Sequence, residues 1–259
     1  MSHISYSALK EWSVCPWKHK LNYIERINEF KGNEYTAFGT ALHTVCEKLV
    51  LNKVNDAAKL FNEEFVKNLA GIKEEDAQIV FKKDLIEQMR RQGAHLTQHI
   101  LPAINSYFGN FELISVEEKL YETTEEEYNF KGFIDLVIQT KDGKYHVIDW
   151  KTCSWGWDTR KKNDKMITYQ LTLYKHFWCQ KHDIDPKDTL THFALLKRTA
   201  KYNEVEFFKV TSGAKKTKNA LKLLSKAIYN IQKANFIKNR LSCYGRYGIC
   251  EYYKTKHCK

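Results

Sequence analysis

The most constraining stretch of the chain is a pair of apolar runs joined by a short polar turn. The runs are Gly132-Phe133-Ile134-Asp135-Leu136-Val137-Ile138 and Tyr145-His146-Val147-Ile148-Asp149-Trp150-Lys151-Thr152. Asp142-Gly143 between them is a strong hairpin signal, because that dipeptide accepts the turn that the strand twist favours. Two antiparallel strands then lie side by side, and Asp135 and Asp149 come close together. Side chains alternate faces along a strand, so Asp149 and Lys151 share one face while Ile148 and Trp150 point into an apolar layer. Asp-x-Lys alone usually marks a solvated strand face. With Asp135 across the hairpin, two carboxylates and a lysine meet at one spot, and such a set can bind a hard divalent cation and activate a water.

Composition narrows the partner. The 259 residues are 43% hydrophobic, enough for a sizeable core, and carry a net charge of +11. A basic surplus favours an acidic polymer, most often nucleic acid, although it also serves solubility. Met1 to Tyr6 contains no apolar signal-peptide core, and no run approaches the roughly 18 apolar residues of a membrane span. The expectation is a soluble protein, cytoplasmic or otherwise intracellular, with no membrane partner. No Gly-x4-Gly-Lys phosphate loop is present, which excludes an ATP-driven motor of that class. Seven cysteines, an odd number in a long chain, argue against a disulfide framework. Three of them fall in the last 17 residues.

In chain order, Ser5 caps an expected helix carrying Ala8, Leu9 and Trp12, which Cys15-Pro16 breaks and Lys18 to Ile24 resumes. On this stretch alone Cys15 reads as a small buried hydrophobe, although proline directly after cysteine recurs in iron–sulfur ligand runs. Leu42, Val45, Cys46 and Leu49 give helical spacing after Gly39. His43 sits beside that face, where a histidine is more often a satisfied core or rim residue than a ligand. Residues 55–107 read as three helices without a motif, marked by Phe61, Phe65 and Leu69, then Ile79, Leu85, Ile86 and Met89, then Leu96, Ile100, Leu101 and Ile104. Strands are expected at Phe111–Leu120, Tyr128–Gln139, Lys144–Thr152, Thr189–Lys197 and Glu204–Val210. Glu117 or Glu118 could lean toward the cation, though such glutamates mostly face solvent. Trp155, Trp157, Arg160, Lys161, Lys162 and Lys165 interleave aromatic and basic groups; they suit base stacking and phosphate contact, or equally an ordinary mobile loop. A helix from Asn163 or Asp164 to about Lys181 puts Gln170 and Tyr174 on one face. A basic helix from Lys215 to about Phe236 precedes the tail cysteines Cys243, Cys250 and Cys258.

In this order the pieces resemble the RecB-type branch of the PD-(D/E)xK nuclease superfamily. Gly39-x-x-x-His43 resembles its first motif, Gly132-x-x-Asp135 its second, Asp149-x-Lys151 its third, and Gln170-x-x-x-Tyr174 its closing helix motif. Ser5-x-Ser7-x-Leu9 with Cys15-Pro16 and the three tail cysteines resembles the iron–sulfur subset, which includes AddB-type nucleases, CRISPR-associated spacer-processing exonucleases and exonuclease V. One departure stands out: Cys243 and Cys250 are seven apart, where many members space the first two tail cysteines by three.

The resemblance implies an α/β fold with a restriction-endonuclease-like core, a central mixed sheet flanked by helices, with a helical N-terminal region and a C-terminal iron–sulfur segment. It implies one nuclease domain over 1–259: N-terminal helices to 54, a helical insertion over 55–108, the catalytic sheet core over 109–210, and a basic helix and cysteine-rich tail over 211–259. His43, Asp135 and Asp149 would hold Mg²⁺ or Mn²⁺, Lys151 would act on the attacking water, and Gln170 and Tyr174 would orient the lysine and contact DNA. Cys15, Cys243, Cys250 and Cys258 would hold a 4Fe-4S cluster, with zinc the alternative. The implied activity is a metal-dependent DNA exonuclease of recombination, repair or processing that prefers single-stranded ends, gripping them through Trp155, Trp157, Arg160, Lys161 and Lys162. The other reading is a non-catalytic iron–sulfur or zinc nucleic-acid-binding partner in recombination or CRISPR adaptation.

Overall fold

The structure, a computed structural model, describes residues 2–27, 30–245 and 248–259. It opens with β1 (His3–Ser5), α1 (Tyr6–Val14) and α2 (Pro16–His19), followed by a π-helical turn at Lys20–Ile24. Four helices come next: α3 (Glu34–Val50), α4 (Ala57–Glu75), α5 (Lys83–Thr97) and α6 (Ile100–Phe108). Strands β2 (Phe111–Thr123), β3 (Asn129–Thr140) and β4 (Tyr145–Cys153) lead through α7 (Thr159–Lys162) and α8 (Lys165–His182) to β5 (Thr189–Lys197) and β6 (Val205–Val210). Helix α9 (Ala214–Gln232) and a small hairpin, β7 (Tyr244–Gly245) and β8 (Gly248–Ile249), complete the order. The chain divides into two compact units: Met1–Phe30, Lys119–Gly132 and Ala214–Lys259 form one, and Lys31–Glu118 with Phe133–Gly213 form the other.

The larger unit is built on a mixed sheet. β3 and β4 pair antiparallel through Leu136↔Ile148 and Val137↔Val147, around the expected Asp142-Gly143 turn with Gly143 at φ 78°. β4 and β5 run parallel, which requires the crossover that α8 supplies, and β6 returns antiparallel to β5. Ile148, Trp150, Ala194, Leu196 and Phe207 pack with Phe38, Leu42, Phe61, Phe65 and Met89 in one apolar cluster, so helices α3 to α5 cover that face. The odd-numbered residues of β4 take the opposite face, where α8 lies against β4 and β5. This is an α/β fold with a mixed central sheet flanked by helices.

In the smaller unit β1 pairs parallel with the start of β3, His3↔Asn129 to Ser5↔Lys131, and α1 packs on α9. Leu21, Tyr252 and Cys258 form a compact apolar knot, and the Tyr252 hydroxyl bonds Asn22 and the Ile27 carbonyl. Trp17 Nε1 donates to the His257 carbonyl at 2.9 Å. Among the described residues no helix is long and apolar enough to cross a membrane.

Caps account for most boundaries. Ser5 Oγ accepts from Ala8 N–H to start α1, and Asp164 Oδ1 accepts from Met166 N–H to start α8. Several boundaries differ from the sequence reading; β2, for one, runs three residues past Leu120 to Thr123. Ile79 lies outside α5, because Asp76 Oδ1 accepts from Gln78 N–H and closes a turn instead of a helix. Leu96 belongs to α5, not to the third helix. The basic helix stops at Gln232, where Ala234 turns left-handed at φ 55°.

Candidate active site

The site is assembled in the larger unit from two helices and three strands. Gly39 on α3 sits so near β4 that a Cβ there would lie 3.3 Å from Thr152 Oγ1. That close approach carries His43, one helical turn later, to Asp135 on β3, with His43 Nδ1 3.6 Å from Asp135 Oδ1. Asp135 Oδ2 accepts the Trp150 N–H at 2.7 Å, which fixes the carboxylate on the neighbouring strand. The β3–β4 ladder ends at Leu136↔Ile148, one residue short of Asp135 and Asp149.

Asp149 is 2% exposed, and α8 and β4 share its two oxygens. Gln170 Nε2 donates to Oδ1 at 2.8 Å and also lies 3.3 Å from the Tyr174 hydroxyl. Lys151 Nζ lies 2.6 Å from Oδ2, an ion-pair approach without hydrogen-bond alignment, and sits 5.8 Å from the centre of the Phe193 ring. Glu117 completes the group: ligand atoms of His43, Glu117 and Asp135 all lie within 4.8 Å of one another. Glu117 reaches it from β2 through a left-handed backbone, φ 49°. A non-glycine residue in that region inside a strand is strained, and strain of this kind clusters at functional sites. The sequence reading left Glu117 and Glu118 undistinguished; the structure separates them. Glu118 turns to Ser115, Trp178, Lys181 and His182. Burial alone would raise its pKa, but those hydrogen bonds hold it at about 2.

The electrostatics are those of an acidic surplus. Burial, together with Asp135, lifts Asp149 to about 6 against the pull of Lys151. Burial and Asp135 also raise Glu117. Burial would lower His43, yet the neighbouring Asp135 carboxylate, with the charge of Asp149, raises it. Burial would likewise lower Lys151, but Asp149 and Asp135 raise it and keep it cationic. Three carboxylates thus face one lysine and one histidine in a confined space, and a further positive charge would relieve the two that are raised, Asp149 and Glu117.

A family profile for the PD-(D/E)XK nuclease superfamily matches residues 3–255. The chain belongs to the PD-(D/E)XK nuclease superfamily. No curated protein matches it in sequence. In structure it resembles an exonuclease candidate from Eubacterium rectale with a TM-score of 0.58 at 11% identity, covering 92% of this chain and 84% of that one. The solved protein SSO0001 aligns at a TM-score of 0.33 and 14% identity, covering 74% and 84%. At 11% identity the likeness to the Eubacterium rectale protein concerns the fold alone. PD-(D/E)XK nucleases typically work with divalent metals, and the donor set here fits one: a carboxylate pair and an imidazole, close together and electrostatically unrelieved.

The remaining residues singled out from the sequence fall into two places. Beyond β4, Trp155 is 78% exposed, whereas Trp157 packs against Phe193 and Phe208 with ring centres 5.3 and 6.0 Å away. Lys161 lies over the Trp157 ring at 4.6 Å, and Lys162 pairs with Glu206. Asp158 caps the short helix that carries Arg160, Lys161 and Lys162. The four cysteines Cys15, Cys243, Cys250 and Cys258 lie in the smaller unit and line one cavity of about 390 Å³. Cys15 stands between α1 and α2, and Cys250 N–H donates to the Cys243 carbonyl at 2.9 Å.

Proposed function

We propose that this nuclease is a divalent-cation-dependent deoxyribonuclease that degrades DNA from a free end, preferring single strands, in recombination, repair or processing of DNA. Residues 1–259 act as one nuclease domain. The observation that carries the reading is the convergence of His43, Glu117, Asp135, Asp149 and Lys151 around strands β3 and β4. His43, Glu117 and Asp135 would hold Mg²⁺ or Mn²⁺, with Asp149 adjacent. When bound, such a cation neutralises the scissile phosphate and acidifies its water. Lys151 keeps its proton beside Asp149 and offers positive charge where the attacking oxygen and the phosphate meet. Gln170 restrains Asp149, so the lysine's anchor cannot rotate, and Tyr174 backs the Gln170 amide.

Strand preference is supported by Trp155, whose exposed ring precedes the basic run Arg160-Lys161-Lys162 in the sequence and suits an unstacked base. Trp157, two residues on, is anchored against Phe193 and Phe208. The cysteine-lined cavity supports a 4Fe-4S cluster held by Cys15, Cys243, Cys250 and Cys258. Asn239 N–H lies 3.5 Å from Cys15 Sγ, and Arg240 Nη1 lies 3.9 Å from Cys258 Sγ, so donors face two of the four sulfurs. Protein purified without oxygen should be brown, with equal iron and sulfide; stoichiometric zinc alone would refute the cluster.

The test of activity compares end-labelled linear and covalently closed circular single-stranded DNA with Mg²⁺ or Mn²⁺. We expect degradation of the linear strand only, abolished by Lys151→Ala and by EDTA. Equal cleavage of the circle would overturn end-dependence, and full activity of Lys151→Ala would overturn the assignment of the site.

A further inference from the structure

A second cluster of donor atoms lies in the larger unit, built from residues outside every motif above. His95 lies in the last turn of α5, His99 precedes α6, and Glu204 precedes β6. Spacing of four on a helix stacks side chains on one face, and here the two imidazole rings stand edge to face with centres 4.7 Å apart. Tightened hydrogen bonds at the helix end, Gln98 N–H to the His95 carbonyl and His99 N–H to the Leu96 carbonyl, hold His99 over that face. Opposite, the Glu204 carbonyl accepts from Lys197 N–H at 2.8 Å, which fixes the β5–β6 turn. The neighbouring Arg198 is engaged by Gln92 and Ser154.

The distances within the cluster are informative. His95 Nε2 lies 3.7 Å from Glu204 Oε1, and His99 Nδ1 lies 3.9 Å from Glu204 Oε2. Both are too long for hydrogen bonds. All three ligand atoms fall within 4.8 Å of one another. Donors about 2.0–2.1 Å from one tetrahedral ion stand roughly 3.4 Å apart, so a small inward shift would complete a coordination sphere. The second nitrogen of His99, Nε2, is buried with no partner among the described residues, so the ring is under-satisfied as it stands. The Glu204 side chain is 12% exposed, while that of His95 is 58% exposed and leaves the site open to solvent.

We propose that His95, His99 and Glu204 form a second metal site, for a divalent transition ion of the zinc class, with water completing the shell. Two imidazoles and one carboxylate are a zinc ligand set, and imidazole nitrogen ranks zinc above magnesium. The ion would tie the α5–α6 corner to the β5–β6 turn, more than 100 residues later in the sequence. Its role would be a brace and not a source of nucleophile for the nuclease.

The test uses the full chain with excess Mg²⁺ present, titrated with Zn²⁺ and followed by thermal unfolding, and with Co²⁺ followed by visible absorption. At a hundredfold excess over Kd the unfolding midpoint should rise by roughly 5–10 °C, from the linkage of binding to stability in a domain of this size. His95→Gln and Glu204→Gln should each abolish that rise and remove one equivalent of tetrahedral Co²⁺ absorption. Asp135→Asn, which disables the nuclease cluster, should leave both signals intact. A zinc-induced rise that is absent, unchanged in the two variants, or lost in Asp135→Asn would overturn the proposal. None of these outcomes bears on the nuclease reading, because the readouts do not use cleavage.

Discussion

Glu117 shows what one backbone angle can decide. Regular alternation along β2 would give no reason to send Glu117 rather than Glu118 toward His43, and the strand pattern alone cannot separate two adjacent glutamates. The left-handed angle at Glu117 does so, and no glycine or asparagine marks the position in the sequence. Glu117→Gln should weaken cation support of cleavage by about tenfold to a hundredfold, the range found when groups that position a metal are altered. Glu118→Gln should not. The Mn²⁺ dependence of the rate distinguishes them, and wild-type dependence in Glu117→Gln would exclude that glutamate from the site. His192 supplies a residue-level prediction of another kind. Burial, with His146 beside it, pushes its pKa down to about 3 from an ordinary 6.5. The unfolded chain takes up this proton below pH 6.5 while the folded chain resists it until about pH 3. Stability should therefore fall on acidification through that window, by up to about 1.4 kcal/mol per pH unit from this group. Urea unfolding of the wild type and His192→Asn at pH 7 and pH 5 should show a smaller acid loss in the variant.

Elements were legible where pattern and punctuation agree. The β3–β4 hairpin was, because apolar alternation meets an Asp-Gly turn. α8 was, because Asp164 caps it ahead of a long apolar face. With the hairpin and α8 in place, Asp135, Asp149, Lys151, Gln170 and Tyr174 were bound to meet. The start of α5 was not legible, since the apolar Ile79 continues the helical spacing while Asp76 holds the backbone in a turn. The pairing of α4 with α5 also depends on something no periodicity reveals. Gly93 faces the Phe61 ring so closely that an added Cβ would lie 2.0 Å from it. Phe61 is fully buried, stacked on Phe65 and edge-on to Phe38, so it has nowhere to retreat. Gly93→Ala should destabilise the protein by about 1–3 kcal/mol despite the better helix propensity of alanine. An unfolding midpoint equal to or above that of the wild type would contradict this packing.

For the molecule as a whole, the charge of +11 was the plainest sequence signal, and α9 shows one place where it gathers. Lys215, Lys218, Lys222 and Lys226 are exposed, while Ala220, Leu224, Ala227 and Ile228 are buried. If this stripe meets the phosphate backbone, replacing all four lysines by glutamine should flatten the log–log salt dependence of single-strand binding by roughly 3, at about 0.7 per phosphate contact. An unchanged slope would place the strand elsewhere. Trp157 illustrates why such surfaces are only partly legible: an aromatic among basic residues looks available for stacking until Phe193 and Phe208 are seen to occupy it.

The smaller unit draws on three separate segments, the last of them Ala214–Lys259. On the ribosome, this order becomes a schedule. Ile4, Leu9, Trp12 and Leu21, all buried in the finished protein, emerge early and must wait for Ala220 and Tyr252. At about 5–20 residues per second the delay is on the order of 10–50 s. Cys15 waits equally long for Cys243, Cys250 and Cys258. A chain cut short before its final segment would keep the sheet residues around Asp149 yet leave the apolar side chains of its first thirty residues uncovered, a natural mark for chaperone capture and proteolysis.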